Sequence, residues 1–293
     1  MDRFPAPATL ASGPGPTTRR PIVVTFTSIP PRFPNLGRKI ASLARQSVQP
    51  DGVEIYLPRR YRRFPDHPRG LPALGRLPDW VELVEVEEDL GPATKVLPAA
   101  RRSRGREVDL LLCDDDRPED PGWIARFAAA RLARPHDIVC EMGWNLDELG
   151  IHPQEPVHPR ARVCPRQGKS AGYRMQRLLS LGLYQPPVRR YASGGYADVF
   201  MGVHGAMVPP NAFPDLAWNI PELLWTVDDV WLSGMADLNG CKVWVNDARR
   251  PLRKDGRYDR RSALKDFVCD GAGRSTANRR CVEYLRSHHG VWR

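Results

Sequence analysis

The sequence predicts an α/β fold of three layers, with a mostly parallel central sheet and a more mixed second half. Three observations carry this. Short apolar, β-branched runs alternate with segments of helical period. The first strand, helix and second strand fit within forty residues, the spacing of a right-handed βαβ unit. No segment recurs at a fixed period, which argues against a solenoid or propeller.

Residues 1–20 are rich in Pro, Gly, Ala and Thr and read as a disordered tail. At Pro21 the pattern changes. PIVVTFTS (21–28) reads as a buried strand, broken by Ile29-Pro30-Pro31-Arg32. In NLGRKIASLARQ (35–46), Leu36, Ile40, Leu43 and Ala44 share one helical face. VEIYLP (53–58) is the second strand, 59–79 an Arg- and Pro-rich loop, and VELVEVEE (81–88) the third strand. Gly91-Pro92 turns the chain, and ATKVLPAARR (93–102) reads as a short helix limited by Pro98. VDLLLCDDD (108–116) is a buried strand running into three aspartates. PEDPGWIARFAAARLA (118–133) reads as a helix with acids at its N-terminus, as the macrodipole favours.

DIVCEMG (137–143) is a further strand. Residues 144–192 are polar and irregular, with one amphipathic piece at 173–183. YADVFMGVHGAMVPPNAF (196–213) is strand-like with glycine punctuation. TVDDVWLSGMADLNG (226–240) is a helix ended by Asn239-Gly240, and KVWVN (242–246) a strand. The basic remainder carries a final helix near 276–288.

Composition bounds the function. With 293 residues, 41% of them hydrophobic and 27% charged, the chain suits one large domain or two abutting ones. It has no run of eighteen apolar residues for a membrane span and no apolar h-region near its start. A cytoplasmic protein is expected, with peripheral contact at an anionic inner membrane face as a further option. The net charge is +10, from 44 Lys and Arg of which only six are Lys, so anionic partners are favoured. None of the six cysteines forms a CxxC, so zinc and disulfides lack support, and Cys113 and Cys241 read as core residues.

In parallel sheets, sites lie at the carboxyl ends of strands. That rule selects Ser28-Ile29-Pro30, Gly91-Pro92 and Asp114-Asp115-Asp116. In an extended segment Asp114 and Asp116 point one way and Asp115 the other. Two carboxylates on one side suit Mg²⁺ or Mn²⁺ held jointly with phosphates; the competing reading is an acidic cap on the next helix. In Asp228-Asp229 one aspartate can cap the helix while the other serves as a general base. Lys95, in GPATK (91–95), is a point charge for phosphate or else a solvated helix start. The basic runs RRYRRF (59–64) and RRSRGR (101–106) read first as solvated loops, and His288-His289 as a frayed tail.

Four blocks in this order resemble the GT-A, Rossmann-like fold of nucleotide-sugar-dependent glycosyltransferases, nearest to bacterial family-2-like enzymes. They are VVTFTS, EEDLGPATKVLPA, LLLCDDD and TVDDVWLSG, spanning roughly residues 21–246. The resemblance implies a donor half at 21–143, an acceptor half at 144–250 and a basic extension at 251–293. It implies that Asp114 and Asp116 form a DxD motif for Mn²⁺ or Mg²⁺, with Asp116 the direct ligand. Thr25, Phe26, Lys95, Asp114 and Asp115 would serve the donor, most simply a UDP-sugar, and Arg249 and Arg250 could assist its diphosphate. Gly194, Gly195 and Asp228 would lie on the acceptor side, and Asp229 would be the base of an inverting hexosyl transfer to a glycan or other hydroxyl acceptor. Two departures stand out: the second acidic motif is Asp-Asp rather than Glu-Asp, and the second strand carries no Asp for the nucleobase. A nucleotidyltransferase is the alternative enzyme class, but SIPPRFPN replaces its triphosphate loop. A non-enzymatic basic protein for nucleic acid or anionic glycan is the other alternative; with no RNA-binding pattern in the chain, no nucleic-acid partner is expected.

Overall fold

The computed structural model describes residues 19–164, 191–246 and 274–293. The predicted piece at 173–183, Arg249, Arg250 and nearly all of the N-terminal tail lie outside them. The strands are β1 (Ile22–Thr27), β2 (Gly52–Pro58), β3 (Val81–Val86), β4 (Asp109–Leu112), β5 (Ile138–Cys140), β6 (Gly143–Trp144), β7 (Arg162–Val163), β8 (Tyr191–Ser193), β9 (Gly195–Ala197), β10 (Val199–Phe200), β11 (Ala206–Val208) and β12 (Val243–Val245). The α-helices are α1 (Leu36–Leu43), α2 (Leu97–Arg102), α3 (Trp123–Ala133), α4 (Asp228–Leu238) and α5 (Arg274–His289).

Eight strands form one sheet in the order β3-β2-β1-β4-β11-β5-β12-β9. The first four are parallel, and β5 and β12 are parallel to each other. β11 runs antiparallel between β4 and β5, and β9 antiparallel on β12, so the second half is mixed as expected. Small ribbons β6–β10 and β7–β8 stand apart.

Alternation along each central strand builds the three layers. Along β4 and the residue that follows it, Leu110 and Leu112 enter one apolar cluster, while Leu111 and Cys113 enter the other. β5 and β11 divide the same way, Val139 and Met207 facing opposite to their neighbours. One cluster packs under α1 and α3, the other under α2, α4 and α5. Leu110, Leu111 and Leu112 are all fully buried, so truncating any of them to Ala should cost about 2–5 kcal/mol.

Several boundaries differ from the sequence reading. Pro98 does not limit a helix; it sits in the first turn of α2, where a missing N–H costs nothing, and Gly91–Lys95 is a separate 3-10 turn. α1 stops at Leu43, which leaves Ala44 exposed rather than on the buried face. α3 starts at Trp123, not 118; Asp120 precedes it, accepting from Gly122 N at 3.1 Å and clamping Arg126 through two bonds of 2.9 Å. The segment 137–143 is two strands. A Cβ on Gly143 would fall 2.8 Å from the Val199 carbonyl, so only glycine lets β6 pair with β10 so closely.

The described part of 251–293 is no appendage. Cys281, Val282 and Leu285 of α5 are fully buried in the larger cluster, and a Cβ on Gly234 of α4 would fall 2.5 Å from Leu285 Cδ1. His288 stacks on Tyr284 at 4.1 Å and His289 meets Trp231 edge-on, so neither is frayed. Among the described residues no helix is long and apolar enough to cross a membrane.

Candidate active site

Three segments supply the site: the bend after β4, the 3-10 turn after β3, and the first turn of α4. The turn is built by its own side chains. Asp89 accepts from Gly91 N at 2.8 Å, and Thr94 Oγ1 accepts from Leu90 N at 3.1 Å. Gly91 has φ +61, and a Cβ there would lie 2.8 Å from the Trp225 ring, so glycine is required twice over. Thr25 Oγ1 then ties the turn to β1, donating to the Lys95 carbonyl at 2.6 Å.

That turn delivers Lys95 into the interior, only 4% exposed, which sets aside the reading of a solvated lysine. Its Nζ lies 3.0 Å from Asp114 Oδ1 and 3.0 Å from Asp228 Oδ2. Burial disfavours the ammonium, but Asp114, Asp228 and Asp229 outweigh it and hold the Lys95 pKa well above the ordinary lysine value. Burial likewise pushes Asp114 up, and Lys95 reverses this, bringing it to about 2.

Asp228 and Asp229 both lie in the first turn of α4. Val227 holds the cap position, so neither aspartate is the N-cap, although both gain from the helix dipole. Asp228 is buried against Lys95. Asp229 Oδ1 accepts from Gly202 N at 3.1 Å. A Cβ on Gly202 would lie 2.8 Å from Lys95 Nζ and 3.2 Å from Asp229 Oδ1, so the lysine, Gly202 and the Asp229 carboxylate are in direct packing.

The strict alternation expected across 114–116 ends with β4 at Leu112, where the chain leaves the extended form. Asp115 accepts from Ser28 Oγ and from Arg32 Nη1, the latter at 2.7 Å. Asp116 Oδ2 is 3.9 Å from the same guanidinium. Asp116 Oδ1 is buried with no hydrogen-bond partner. Burial first, then Asp114 and Asp115, raise the Asp116 pKa to about 7.

An orphaned, buried carboxylate oxygen is what a hard divalent cation would complete. The residues present therefore fit a divalent cation at Asp116. Among the described residues no three acid, His or Cys side chains converge on one point, so such a cation would take most of its ligands from outside these side chains.

The remaining predicted residues are placed elsewhere. Phe26 is fully buried in the cluster under α1, with Lys39 Nζ 6.0 Å from its ring. Thr25 is equally buried, its hydroxyl spent on Lys95. Gly195 pairs with Val245, and its nearest neighbours are the backbone of 159–161, not the acid cluster; Gly194 adjoins it. Within the basic runs Tyr61 is buried, Arg62 lies 5.6 Å from the Trp225 ring, and Arg101 lies 4.5 Å from Trp218. Sequence reasoning missed Gly202, Arg32 and the pair of Arg117 with His204, whose Nδ1 is 2.7 Å from Arg117 Nη1. A signal existed for the first two: Arg32 follows the first strand's carboxyl end, and Gly202 belongs to the glycine punctuation of MGVHG.

No family model matches the chain, and no curated protein sequence does. Among solved structures it is similar to S. aureus TarS 1–349, at 12% identity and a TM-score of 0.37 over 79% of this chain. The chain covers 58% of that structure, less than two thirds of its length.

Proposed function

We propose that the chain is a nucleotide-sugar-dependent glycosyltransferase that moves a hexosyl group to an acceptor hydroxyl with inversion. The observation that supports this best is the clustering of the two acidic motifs. Asp114–Asp116 and Asp228–Asp229 lie more than a hundred positions apart in the chain, yet Lys95 touches a member of each at 3.0 Å. A departing diphosphate needs positive charge, and an attacking hydroxyl needs a base. The cluster holds groups suited to both.

In this reading the diphosphate lies over the bend after β4. Asp116, with Asp114 adding charge, would hold Mn²⁺ or Mg²⁺, and a cation there would neutralise charge developing on the leaving diphosphate. Asp229, oriented by the Gly202 N–H, takes the proton from the acceptor hydroxyl. The acceptor oxygen bonds to the anomeric carbon from the face opposite the nucleotide, the bond to the diphosphate oxygen breaks, and the nucleoside diphosphate leaves. Asp115, held by Ser28 and Arg32, braces the bend on the donor side of this path.

The test is thermal unfolding with a panel of nucleoside diphosphates and their sugars, with and without Mn²⁺. A ligand at a hundred times its dissociation constant should stabilise by about 2.7 kcal/mol. A shift that needs both one nucleotide and the metal is expected, with a UDP-sugar the first candidate. Absence of a shift with every nucleotide would overturn the reading, and steep salt dependence of polyanion binding would then favour a non-enzymatic basic protein.

A further inference from the structure

The position of Lys95 carries more than phosphate binding. Its ammonium stands at 3.0 Å from one oxygen of Asp114 and one of Asp228, at the point where the two carboxylates converge. It reaches that point because residue 202 is glycine, whose missing Cβ would stand 2.8 Å from Nζ. The side chain is 6% exposed, so its charge is directed at these acids rather than at solvent. A divalent ion on the same two oxygens would sit at about 2.0–2.2 Å and would have to displace the ammonium.

We propose that Lys95 is a built-in cation, a positioning residue that keeps Asp114 Oδ1 and Asp228 Oδ2 closed to divalent metal and leaves Asp116 as the open carboxylate. It also ties the bend after β4 to the first turn of α4, so that Asp229 is presented beside Lys95 and Gly202. The geometry stands by itself; only the consequence for catalysis rests on the glycosyltransferase reading. Removing one partner of a buried ion pair leaves its carboxylates uncompensated, and here that opens both oxygens to a divalent cation.

The experiment is Mn²⁺ titration of the whole chain followed by electron paramagnetic resonance, with no nucleotide present. Lys95→Met should bind Mn²⁺ at least tenfold more tightly than the parent, a gain that a merely damaged fold would not produce. Equal or weaker Mn²⁺ affinity in a folded Lys95→Met chain overturns the proposal. Should that variant fail to fold, Lys95→Met with Asp228→Asn removes one charge of each sign and still leaves Asp114 without its ammonium. A severalfold gain is expected there, and unchanged affinity overturns the proposal equally. Nucleotide-sugar binding by the parent is measured alongside. A gain in Mn²⁺ affinity with no nucleotide binding sinks the glycosyltransferase reading and supports Lys95 as the built-in cation; nucleotide binding with no gain does the reverse.

Discussion

Replacing Gly202 with Ala adds one methyl group at the centre of the acid cluster. The backbone tolerates it, since Gly202 is not among the glycines with positive φ. The cost is steric. The new carbon would stand 2.8 Å from Lys95 Nζ, 3.1 Å from Leu112 Cδ1 and 3.2 Å from Asp229 Oδ1. Normal carbon contacts are about 3.5 Å or more, so all three neighbours must give way. Leu112 is packed in the core, and Lys95 is held by two ion pairs, which leaves Asp229 and the 202 backbone to move. Overpacking of this kind costs about 1–3 kcal/mol. That corresponds to a fall in Tm of about 2–10 °C. Shifting the carboxylate of the proposed base by a few tenths of an ångström should lower turnover by roughly tenfold, less than the hundredfold a full ångström costs. The assay pairs thermal unfolding with steady-state transfer, and donor binding should hardly change because Asp116 is untouched. Parent-like Tm and kcat in Gly202→Ala would show that Lys95, Gly202 and Asp229 are not in contact, and that the acid cluster is not the active site.

Asp229→Asn should keep donor binding and lower kcat by about 10²–10⁴, read by titration and product formation; unchanged turnover would remove Asp229 as the base. Asp116→Ala should abolish the metal-dependent part of the donor-induced Tm shift while leaving the unliganded Tm near the parent's. His204 is held down to about 3, by burial first and then by Arg117. The unfolded chain therefore takes up this proton first, near pH 6.5, and stability falls as pH drops from there towards 3, by up to a few kcal/mol. Tm between pH 7 and 4 should fall less steeply in His204→Asn than in the parent, and parallel curves would refute the assignment.

The sheet was legible in the sequence because buried strands are apolar on both faces. PIVVTFTS, VEIYLP and VDLLLC announce themselves without any partner being known. The carboxyl ends of those strands then marked Asp114–Asp116, and the acids opening an apolar helix marked Asp228 and Asp229. Other features were not legible, because each depends on what packs nearby. Pro98 reads as a stop in isolation, whereas the preceding 3-10 turn makes it a start. Phe26 lies on the first strand with Thr25, yet only the position of α1 and Lys39 decides that its ring is core.

Chain order, strand identity and the two acidic motifs follow from local composition and period, which the sequence states directly. The meeting of those motifs does not. Lys95, Asp114, Gly202 and Asp228 are joined by contacts between residues nineteen to more than a hundred positions apart, at distances near 3 Å that no local pattern encodes. Whether a lysine is solvated or is the buried counter-ion of two aspartates depends on which elements close over it, and that was decided only when β4, the 3-10 turn and α4 packed together.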